Sequence, residues 1–353
     1  MPIFRRTFAP RVRLQRSSPE VPRSRFIPRI MKKIAVLTSG GDSPGMNAAI
    51  RAVVRTAVYN DCEVVGVFQG YQGLVRGDFK RLHVRSVAKI LGRGGTILKS
   101  ARSEEFRTEE GRRAAHAHLL ANEIDGLVVI GGNGTFTGAK LLHEETGFPV
   151  IGVPGTIDND LAGTDYTIGF DTATNTVVEA VDKIRDTADS HNRLFFVEVM
   201  GRDSGFIALQ TGIATGAIAV MTPETGLGIS ELIEVLEKGR KSNKTSSIVI
   251  VAEGHPMGGA FEIARQVHQQ YSHYDVRVTV LGHLQRGGDP SCFDRVLASR
   301  LGVAAVEGLL SGKTNVMAGF VNDSLVFFPF EEAIKNKTAS LEDEVRIANI
   351  LSI

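Results

Sequence analysis

Residues 37–51 read LTSGGDSPGMNAAIR, and they join a short apolar strand pattern to a helical one. The strand pattern covers Ile34 to Leu37, and the helical pattern begins near Ala48. Glycines between them let backbone amides approach an anion, and a helix N-terminus adds the positive end of its dipole. The spacing matches neither GxGxxG nor the Walker pattern GxxxxGK[ST]. The stretch therefore indicates a phosphate-binding loop, with a simple tight turn as the alternative.

The chain beyond this stretch repeats the alternation of short apolar strands with helical patterns. Such alternation predicts a mostly parallel sheet flanked by helices, the α/β class. Glycines gather where the strands end, and open α/β sheets bind ligands outside those carboxyl ends. The predicted strands are Ile34–Leu37, Val64–Phe68, Leu127–Ile130, Val150–Val153, Leu194–Val199, Ser247–Val251, Val278–Leu281 and Val316–Phe320. The predicted helices are Ala48–Tyr59, Glu109–Asn122, Thr172–Asp189, Ser230–Lys241 and Arg295–Leu310.

Length and composition place the chain among globular proteins. Its 353 residues exceed what one hydrophobic core usually serves, so we expect two lobes. A hydrophobic fraction of 42% with 23% charged residues excludes a disordered or fibrous chain. No apolar run in the sequence is long enough for a membrane helix. Cys62 and Cys292 form neither a disulfide framework nor a zinc site, so a reducing, cytoplasmic location is expected.

Charge is unevenly distributed along the chain. Residues 1–30 contain eight arginines and a single acid, Glu20, which gives this head +7 against +2 for the whole sequence. The body is therefore mildly acidic, and neither nucleic acid nor a membrane is an expected partner. The head could be a transit peptide or a basic arm. Its five prolines argue against the amphipathic helix of a transit peptide, so we expect a disordered leader.

Two further loops follow predicted strands. Residues 131–136 read GGNGTF, which suits a second phosphate or metal loop and, nearly as well, a glycine turn. Residues 154–160 read PGTIDND, so Asp158 and Asp160 face the same side of an extended chain. One such carboxylate can take a proton from a hydroxyl, while the other helps to hold a hard cation through oxygen. A solvated acidic turn is the alternative.

Arginines accompany the ends of the predicted strands. Guanidinium groups bind phosphate oxygens bidentately, so several of them favour a set of phosphorylated ligands. A single arginine at such a position would more often be an ordinary surface residue that binds no ligand. The five arginines are Arg102, Arg193, Arg202, Arg277 and Arg286.

Four motifs together resemble the ATP-dependent 6-phosphofructokinases of the bacterial type. They are residues 37–51, residues 154–160, VMGR at 199–202 and LGHLQRGG at 281–288. The similarity runs in order from Met31 to about residue 335. It implies two Rossmann-like lobes with the active site between them, and a homotetramer whose subunits share active sites. It also implies phosphorylation of fructose 6-phosphate at its 1-hydroxyl by ATP, with Mg²⁺ as the cofactor.

The same resemblance implies lobe boundaries and residue roles. The nucleotide lobe would comprise 31–168 plus about 285–335, and the sugar-phosphate lobe 169–284 plus about 336–353. Asp158 matches the catalytic base, and the other catalytic residues are Thr156, Asp160 and Arg202. The ATP contacts are Gly41, Arg102, Ser103, Gly132, Asn133, Gly134 and Thr135. The substrate contacts from the same subunit are Thr156, Ile157, Asp158, Met200, Gly201, Arg202, Glu253, His283, Leu284, Gln285 and Arg286. Arg193 and Arg277 match arginines that the neighbouring subunit supplies, while Asn133 and Asp160 match the metal ligands.

Three features depart from the family pattern. Asn133 stands where the family usually has a magnesium-binding aspartate, and an amide oxygen ligates a cation without charge. The head of residues 1–30 is absent from the bacterial pattern. The effector site keeps only part of its basic set, so the identity of any effector stays open. Its matching residues are Arg51, Arg55, Arg185 and Lys244, whereas Val84, Ile218 and Ser242 replace an arginine, a glutamate and a lysine.

Two alternative functions follow from the same residues. Pyrophosphate-dependent phosphofructokinases typically carry aspartate at the position of Gly134 and lysine at that of Gly155. Both positions are glycine here, which favours ATP. A catalytically weak, regulatory homologue that binds sugar phosphate is indicated only by Asn133, and the presence of Asp158 disfavours it.

Overall fold

A computed structural model of the chain describes residues 31–191, 193–242, 247–335, 337 and 341–351. The predicted leader and Lys244 lie outside these residues. The strands are β1 (Lys33–Thr38), β2 (Glu63–Val67), β3 (Phe79–Leu82), β4 (Gly126–Gly131), β5 (Val150–Pro154), β6 (Arg193–Val199), β7 (Ala219–Met221), β8 (Ser247–Ala252), β9 (Asp275–Val280), β10 (Val316–Val321) and β11 (Ser324–Pro329). The helices are α1 (Met46–Tyr59), α2 (Gly70–Arg76), α3 (Glu109–Ala121), α4 (Asn133–Thr146), α5 (Phe170–His191), α6 (Phe206–Thr215), α7 (Ile229–Lys241), α8 (Ala260–Gln270), α9 (Cys292–Leu310), α10 (Phe330–Ala333) and α11 (Glu342–Leu351).

The first sheet has the strand order β11-β10-β5-β4-β1-β2-β3. Its five inner strands run parallel, and the edge strands β11 and β3 pair antiparallel with their neighbours. Thr38 lies opposite Ile130, and Gly131 lies opposite Pro154, so β1, β4 and β5 end side by side. The three loops that follow these strands, which contain the glycines and aspartates described above, therefore begin side by side at the carboxyl ends of the strands.

The second sheet is wholly parallel and has the order β7-β8-β6-β9. Val199 lies opposite Ala252, and Glu198 lies opposite Val280, so the loops that follow β6, β8 and β9 also begin together. The edge strand β9 alternates exposed and half-buried residues, in contrast to the buried β6.

Helices cover both faces of each sheet, because alternate residues of a strand point to opposite faces. Ile34 and Val36 pack in one cluster with α1 and α9, whereas Ala35 and Leu37 pack on the other face with α2, α3 and α4. The second sheet is covered by α5 and α6 on one face and by α7 and α8 on the other. The predicted α/β class is therefore confirmed. In the part of the chain that the structure describes, no helix is long and apolar enough to cross a membrane.

Candidate active site

The loop after β5 is fixed by its own hydroxyl groups. Thr156 Oγ1 donates a hydrogen bond to Asp158 Oδ2 at 3.2 Å and accepts one from the Asp158 amide at 3.2 Å. Thr167 Oγ1 donates to the Thr156 carbonyl at 2.6 Å. Both threonines are buried, so these bonds are not exchanged with water. The loop therefore holds the Asp158 carboxylate in one orientation.

Asn159 turns the chain between the two carboxylates. Its φ of 51° lies in the left-handed region, which asparagine tolerates better than most residues. Its side chain donates to the Asp165 carbonyl at 3.2 Å and accepts from the Thr167 amide at 3.0 Å. These two bonds stabilise a backbone conformation that would otherwise be unfavourable.

Asp158 is only 3% exposed, and in the described part of the chain its Oδ1 has no hydrogen-bond partner. Burial raises the pKa of this carboxyl, because water no longer solvates its charge. The guanidinium groups of Arg286 and Arg202 act in the opposite direction and favour the ionised form. The result is a carboxylate with one free oxygen and a raised proton affinity.

Asp160 pairs with Asn133, the first residue of α4. The Asn133 amide Nδ2 donates to Asp160 Oδ2 at 2.7 Å, which leaves Oδ1 of both residues buried and without a described partner. Burial and the nearby Asp158 raise the pKa of Asp160 to about 6. Three unpartnered oxygens thus gather here, those of Asn133, Asp158 and Asp160. Hard cations such as Mg²⁺ prefer such a donor set, so the residues present fit this ion.

On the second sheet, the loop after β6 is held by its neighbours. Glu253 Oε1 accepts from the amides of Gly201 at 3.2 Å and Arg202 at 2.8 Å. Gln285, which is fully buried, accepts from the Met200 amide at 3.2 Å. Arg202 itself has a φ of 53°, a left-handed conformation that costs roughly 1 kcal/mol in an L-residue. The Glu253 carboxylate therefore fixes the backbone that presents the exposed Arg202 side chain.

Two contacts join the loops of the two sheets. Ser204 Oγ, on the second-sheet side, donates to the Asp158 carbonyl at 3.1 Å. Arg286 Nη1 donates to the Asp42 carbonyl in the first glycine loop at 3.3 Å. A Cβ atom at Gly41 would lie 2.6 Å from Arg286 Nη1, so a larger residue there would displace the end of the Arg286 side chain. The structure thus brings the predicted base, the glycine loop and two predicted substrate arginines together.

The residues predicted to bind the nucleotide lie next to these contacts between the two sheets. Residues 132–135 form the start of α4, and Thr135 Oγ1 donates to the Ser39 carbonyl of the first loop at 3.1 Å. A Cβ atom at Gly134 would meet nothing within 4 Å. Ser103 accepts from the Phe106 amide at 3.2 Å, and the neighbouring Arg102 is exposed. A helix N-terminus with open space before it suits a phosphate chain.

Arg193 and Arg277 are not brought to this site. Both pair with Asp275, at 3.0 and 2.5 Å, in the pair of strands β6 and β9. Arg193 opens β6, whereas Met200 follows its end, and a seven-residue strand at about 3.3 Å per residue separates them by roughly 20 Å. Within one chain, these arginines cannot reach a ligand that lies against Met200.

The remaining predicted residues are more scattered. Ile157 is buried in the core below the loop, whereas His283 and Leu284 are exposed on the 3-10 turn Gly282–Arg286. The effector residues Arg51 and Arg55 lie on α1 of the first sheet. Arg185 lies on α5 of the second sheet, where it donates to the Thr215 carbonyl.

Sequence reasoning missed the residues that support the loops. Asn159 and Thr167 bond within the chain segment that follows β5, whereas Ser204 contacts the Asp158 loop because the two sheets pack together. Asn159 alone gave a usable signal, since asparagine between two aspartates often marks a left-handed turn.

A pair of carboxylates between two helix-flanked, mostly parallel sheets, with arginines and glycine loops around it, is typical of an α/β phosphotransferase. The family model described as phosphofructokinase matches residues 33–309. The chain belongs to the phosphofructokinase family.

Named relatives agree with this membership. The ATP-dependent 6-phosphofructokinase 2 of Bacteroides thetaiotaomicron is 54% identical over 92% of this chain and 99% of its own length. The ATP-dependent 6-phosphofructokinase of Cytophaga hutchinsonii is 55% identical, over 91% and 98%. Among solved structures, phosphofructokinase from Saccharomyces cerevisiae superposes with a TM-score of 0.81 at 40% identity, over 91% of this chain. This chain spans about half of that yeast chain, 48%. The pyrophosphate-dependent enzyme from Marinobacter aquaeolei, at 24% identity and a TM-score of 0.78, shares the fold over 92% of each chain.

Proposed function

We propose that this chain transfers the γ-phosphoryl group of ATP to the 1-hydroxyl of fructose 6-phosphate, giving fructose 1,6-bisphosphate and ADP in glycolysis. The observation that carries the proposal is the Asp158 carboxylate, which is buried and has one unpartnered oxygen where the loops of both sheets meet. The names of the bacterial relatives support the choice of donor and acceptor.

Asp158 acts as the general base. Thr156 occupies Oδ2, so Oδ1 is left to accept the proton of the 1-hydroxyl. The hydroxyl oxygen then bonds to the γ-phosphorus, while the bond from that phosphorus to the bridging oxygen of ADP breaks. The raised pKa improves the carboxylate as a proton acceptor.

The other groups position ligands and offset charge, because a loose phosphoryl-transfer transition state asks for little else. Arg202 and Arg286 lie near enough to Asp158 to influence its ionisation, so they can also reach a phosphoryl group beside it. Glu253 holds the backbone of Gly201 and Arg202, and Gln285 that of Met200, in the segment that would face the sugar phosphate. The N-terminus of α4 and the first glycine loop face the phosphates of ATP.

Mg²⁺ would be held by Asp160 and Asn133 together with phosphate oxygens and water, since the Oδ1 atoms of these two residues have no partner among the described residues. When bound, the ion neutralises charge on the transferred phosphoryl group. Asn133 in addition donates its amide proton to Asp160, which orients that carboxylate.

A homotetramer with shared active sites is part of the proposal. Arg193 and Arg277 carry positive charge that suits a sugar phosphate. Arg193 lies at the start of β6, away from the loop that follows this strand, and Arg277 lies on the exposed edge strand β9. A neighbouring subunit packed against this edge would receive both guanidinium groups. The lobe boundaries at about residues 168, 285 and 335, the effector residues and the cytoplasmic location stay predictions.

The choice of ATP over pyrophosphate rests on two glycines that differ in their surroundings. Gly134 opens onto free space beside the start of α4, where the longer triphosphate would need room. Gly155 is tightly packed, since a Cβ atom there would lie 3.0 Å from Ile130 and 3.3 Å from Met46. A side chain at 155 would press on Ile130 and Met46, so packing also favours glycine there, and Gly134 is the more informative position.

A coupled assay tests the proposal with ATP or pyrophosphate as the donor. We expect turnover with Mg·ATP and at least a hundredfold less with pyrophosphate. The variant Gly134→Asp should raise the KM for ATP, because its charge would face the phosphates. Turnover with pyrophosphate alone would overturn the choice of donor. A folded protein that binds fructose 6-phosphate but shows no turnover with either donor would favour the regulatory homologue.

A further inference from the structure

Asp294 is a fully buried carboxylate that the proposed chemistry does not use. It lies in the first turn of α9, yet its oxygens bind the start of α5. Its Oδ1 accepts from the Gly169 amide at 2.8 Å. Its Oδ2 accepts from the Thr172 amide at 2.8 Å and from Thr172 Oγ1 at 2.5 Å. Both oxygens are therefore satisfied by donors from one other helix.

The same two helix starts are joined a second time. Ser291, the N-cap of α9, donates through Oγ to Asp171 Oδ2 at 2.5 Å, and its amide donates to Thr172 Oγ1 at 2.9 Å. Because α9 packs against the first sheet and α5 against the second, these bonds connect the two halves of the molecule. We call Asp171, Thr172, Ser291 and Asp294 the helix-start junction.

The residues just before α5 connect the helix-start junction to the loop of Asp158. The Ile168 amide donates to the Pro154 carbonyl at 2.9 Å, and Thr167 Oγ1 donates to the Thr156 carbonyl at 2.6 Å. Gly169 has a φ of 105°, and a Cβ atom there would lie 2.5 Å from the Ser43 Cβ. Thr167, Ile168 and Gly169 thus link the loop of Asp158 to Asp294 through successive hydrogen bonds.

The charge state of Asp294 suits this arrangement. Burial raises its pKa to about 6, so the carboxylate is ionised at neutral pH, and the positive ends of α5 and α9 favour that form. Asp171 is the nearby group that opposes ionisation. An amide in its place would turn an NH₂ group towards backbone donors and lose at least one hydrogen bond.

We propose that Asp294 is a positioning residue for the general base, acting through Gly169 and Thr167 on the loop that holds Asp158. The inference rests on the proposed function, since it assigns Asp294 a part in that same reaction. It predicts that loss of the carboxylate lowers kcat while the KM for ATP changes little.

The test is steady-state kinetics with ATP and fructose 6-phosphate on Asp294→Asn and on the milder Thr172→Val, which removes one donor to Asp294 and the acceptor of the Ser291 amide. We expect kcat to fall about 10- to 100-fold in the first variant and about 3- to 10-fold in the second, with the KM for ATP within about twofold. The matched control is Leu301→Ala, a buried position two turns further along α9 that does not contact α5 through hydrogen bonds. It should lose thermal stability but keep kcat at temperatures where it is folded.

A double-mutant cycle separates positioning from general damage. In the Asp158→Asn background, Asp294→Asn should change the residual kcat by less than about threefold, because there is no base left to orient. Equal losses in both backgrounds, or kcat within twofold of the parent in both Asp294→Asn and Thr172→Val, would overturn the inference. If Asp294→Asn does not fold, Thr172→Val decides alone. A parent without turnover would instead refute the proposed function.

Discussion

The loop of Asp158 and the arginines of β9 represent opposite ways of building an active site. The loop is buried, is bonded on both sides by Thr156 and Thr167, and carries its chemistry on a desolvated carboxylate. Arg277 is half exposed, belongs to an edge strand, and is held by Asp275 and by the carbonyl of its own neighbour Val276. The groups that hold the loop all come from one chain, whereas Arg277 lies at the surface, where a second molecule can cover it.

The difference follows from what each group has to do. A general base needs a raised pKa, and burial in its own chain supplies it. A phosphate-binding guanidinium needs its charge at every pH, so it can stay in water until a ligand or a partner covers it. The comparison therefore predicts that substitutions in the Asp158 loop lower kcat, whereas substitution of Arg277 raises the KM for fructose 6-phosphate.

The largest loss is expected at Asp158. Asp158→Asn should lower kcat by about 10³-fold, since general-base catalysis is typically worth 10²–10⁴. The KM for fructose 6-phosphate should stay within a few-fold, because the arginines that bind the sugar phosphate are unchanged. Steady-state kinetics with both substrates measures this. Turnover within tenfold of the parent would show that Asp158 is not the base.

The next loss is expected at Arg277. Arg277→Ala should raise the KM for fructose 6-phosphate about 10- to 100-fold, as expected for a charged hydrogen bond to phosphate. The matched control is Arg265→Ala, another exposed arginine of the second sheet's lobe, which pairs with Glu262. Its KM should stay within twofold. Equal KM values for the two variants would remove Arg277 from the site.

A smaller effect is expected at Asn133, which the proposed function assigns to the metal. Asn133→Asp replaces an amide that donates to Asp160 at 2.7 Å by a second negative charge. Without a cation the two carboxylates repel, and with one they bind it more tightly. We expect half-saturation at a Mg²⁺ concentration a few-fold lower than in the parent, and a melting temperature that falls with chelator. Asn133→Ala is the uncharged control. Coinciding Mg²⁺ titrations of Asn133→Asp and the parent would contradict the metal role.

The smallest effect is expected from removal of residues 1–30. The first strand begins at Lys33, and Asp125 already accepts from the amides of Lys32 and Lys33 at 2.8 and 3.1 Å. The truncated protein should keep its melting temperature and a kcat within twofold. A truncated chain that aggregates or changes its assembly would show that the head contributes to the fold.

Much of the fold was predictable, because buried parallel strands are apolar runs. All eight predicted strands and all five predicted helices are present. The strand predicted at Val278–Leu281 begins earlier, at Asp275, since β9 is an edge strand whose exposed residues hide the apolar pattern. The short edge strand β3 was missed because Lys80 and Arg81 interrupt its apolar pattern, and β11 was missed although SLVFFP contains an apolar run. Helix α6 was missed because it is apolar on nearly every side.

The family and the use of ATP were also predicted, and the named relatives confirm them. What the sequence could not supply are long-range contacts. Nothing in the local pattern links Asp294 to Gly169, 125 residues earlier, or Arg286 to Asp42, 244 residues earlier. Such pairs depend on how two sheets pack, which periodicity within single elements does not encode.

Subunit hybrids test the central claim, that one active site takes Asp158 from one chain and Arg277 from its neighbour. Asp158→Asn and Arg277→Ala chains are co-expressed with different tags, and the mixed oligomers are isolated and assayed at low fructose 6-phosphate. With random equal mixing, about a quarter of the sites would regain both native groups, so activity should far exceed that of either parent variant. Hybrids whose activity is only the average of the two variants would place Arg277 and Asp158 in the same chain's site, or Arg277 in none, and would contradict the account.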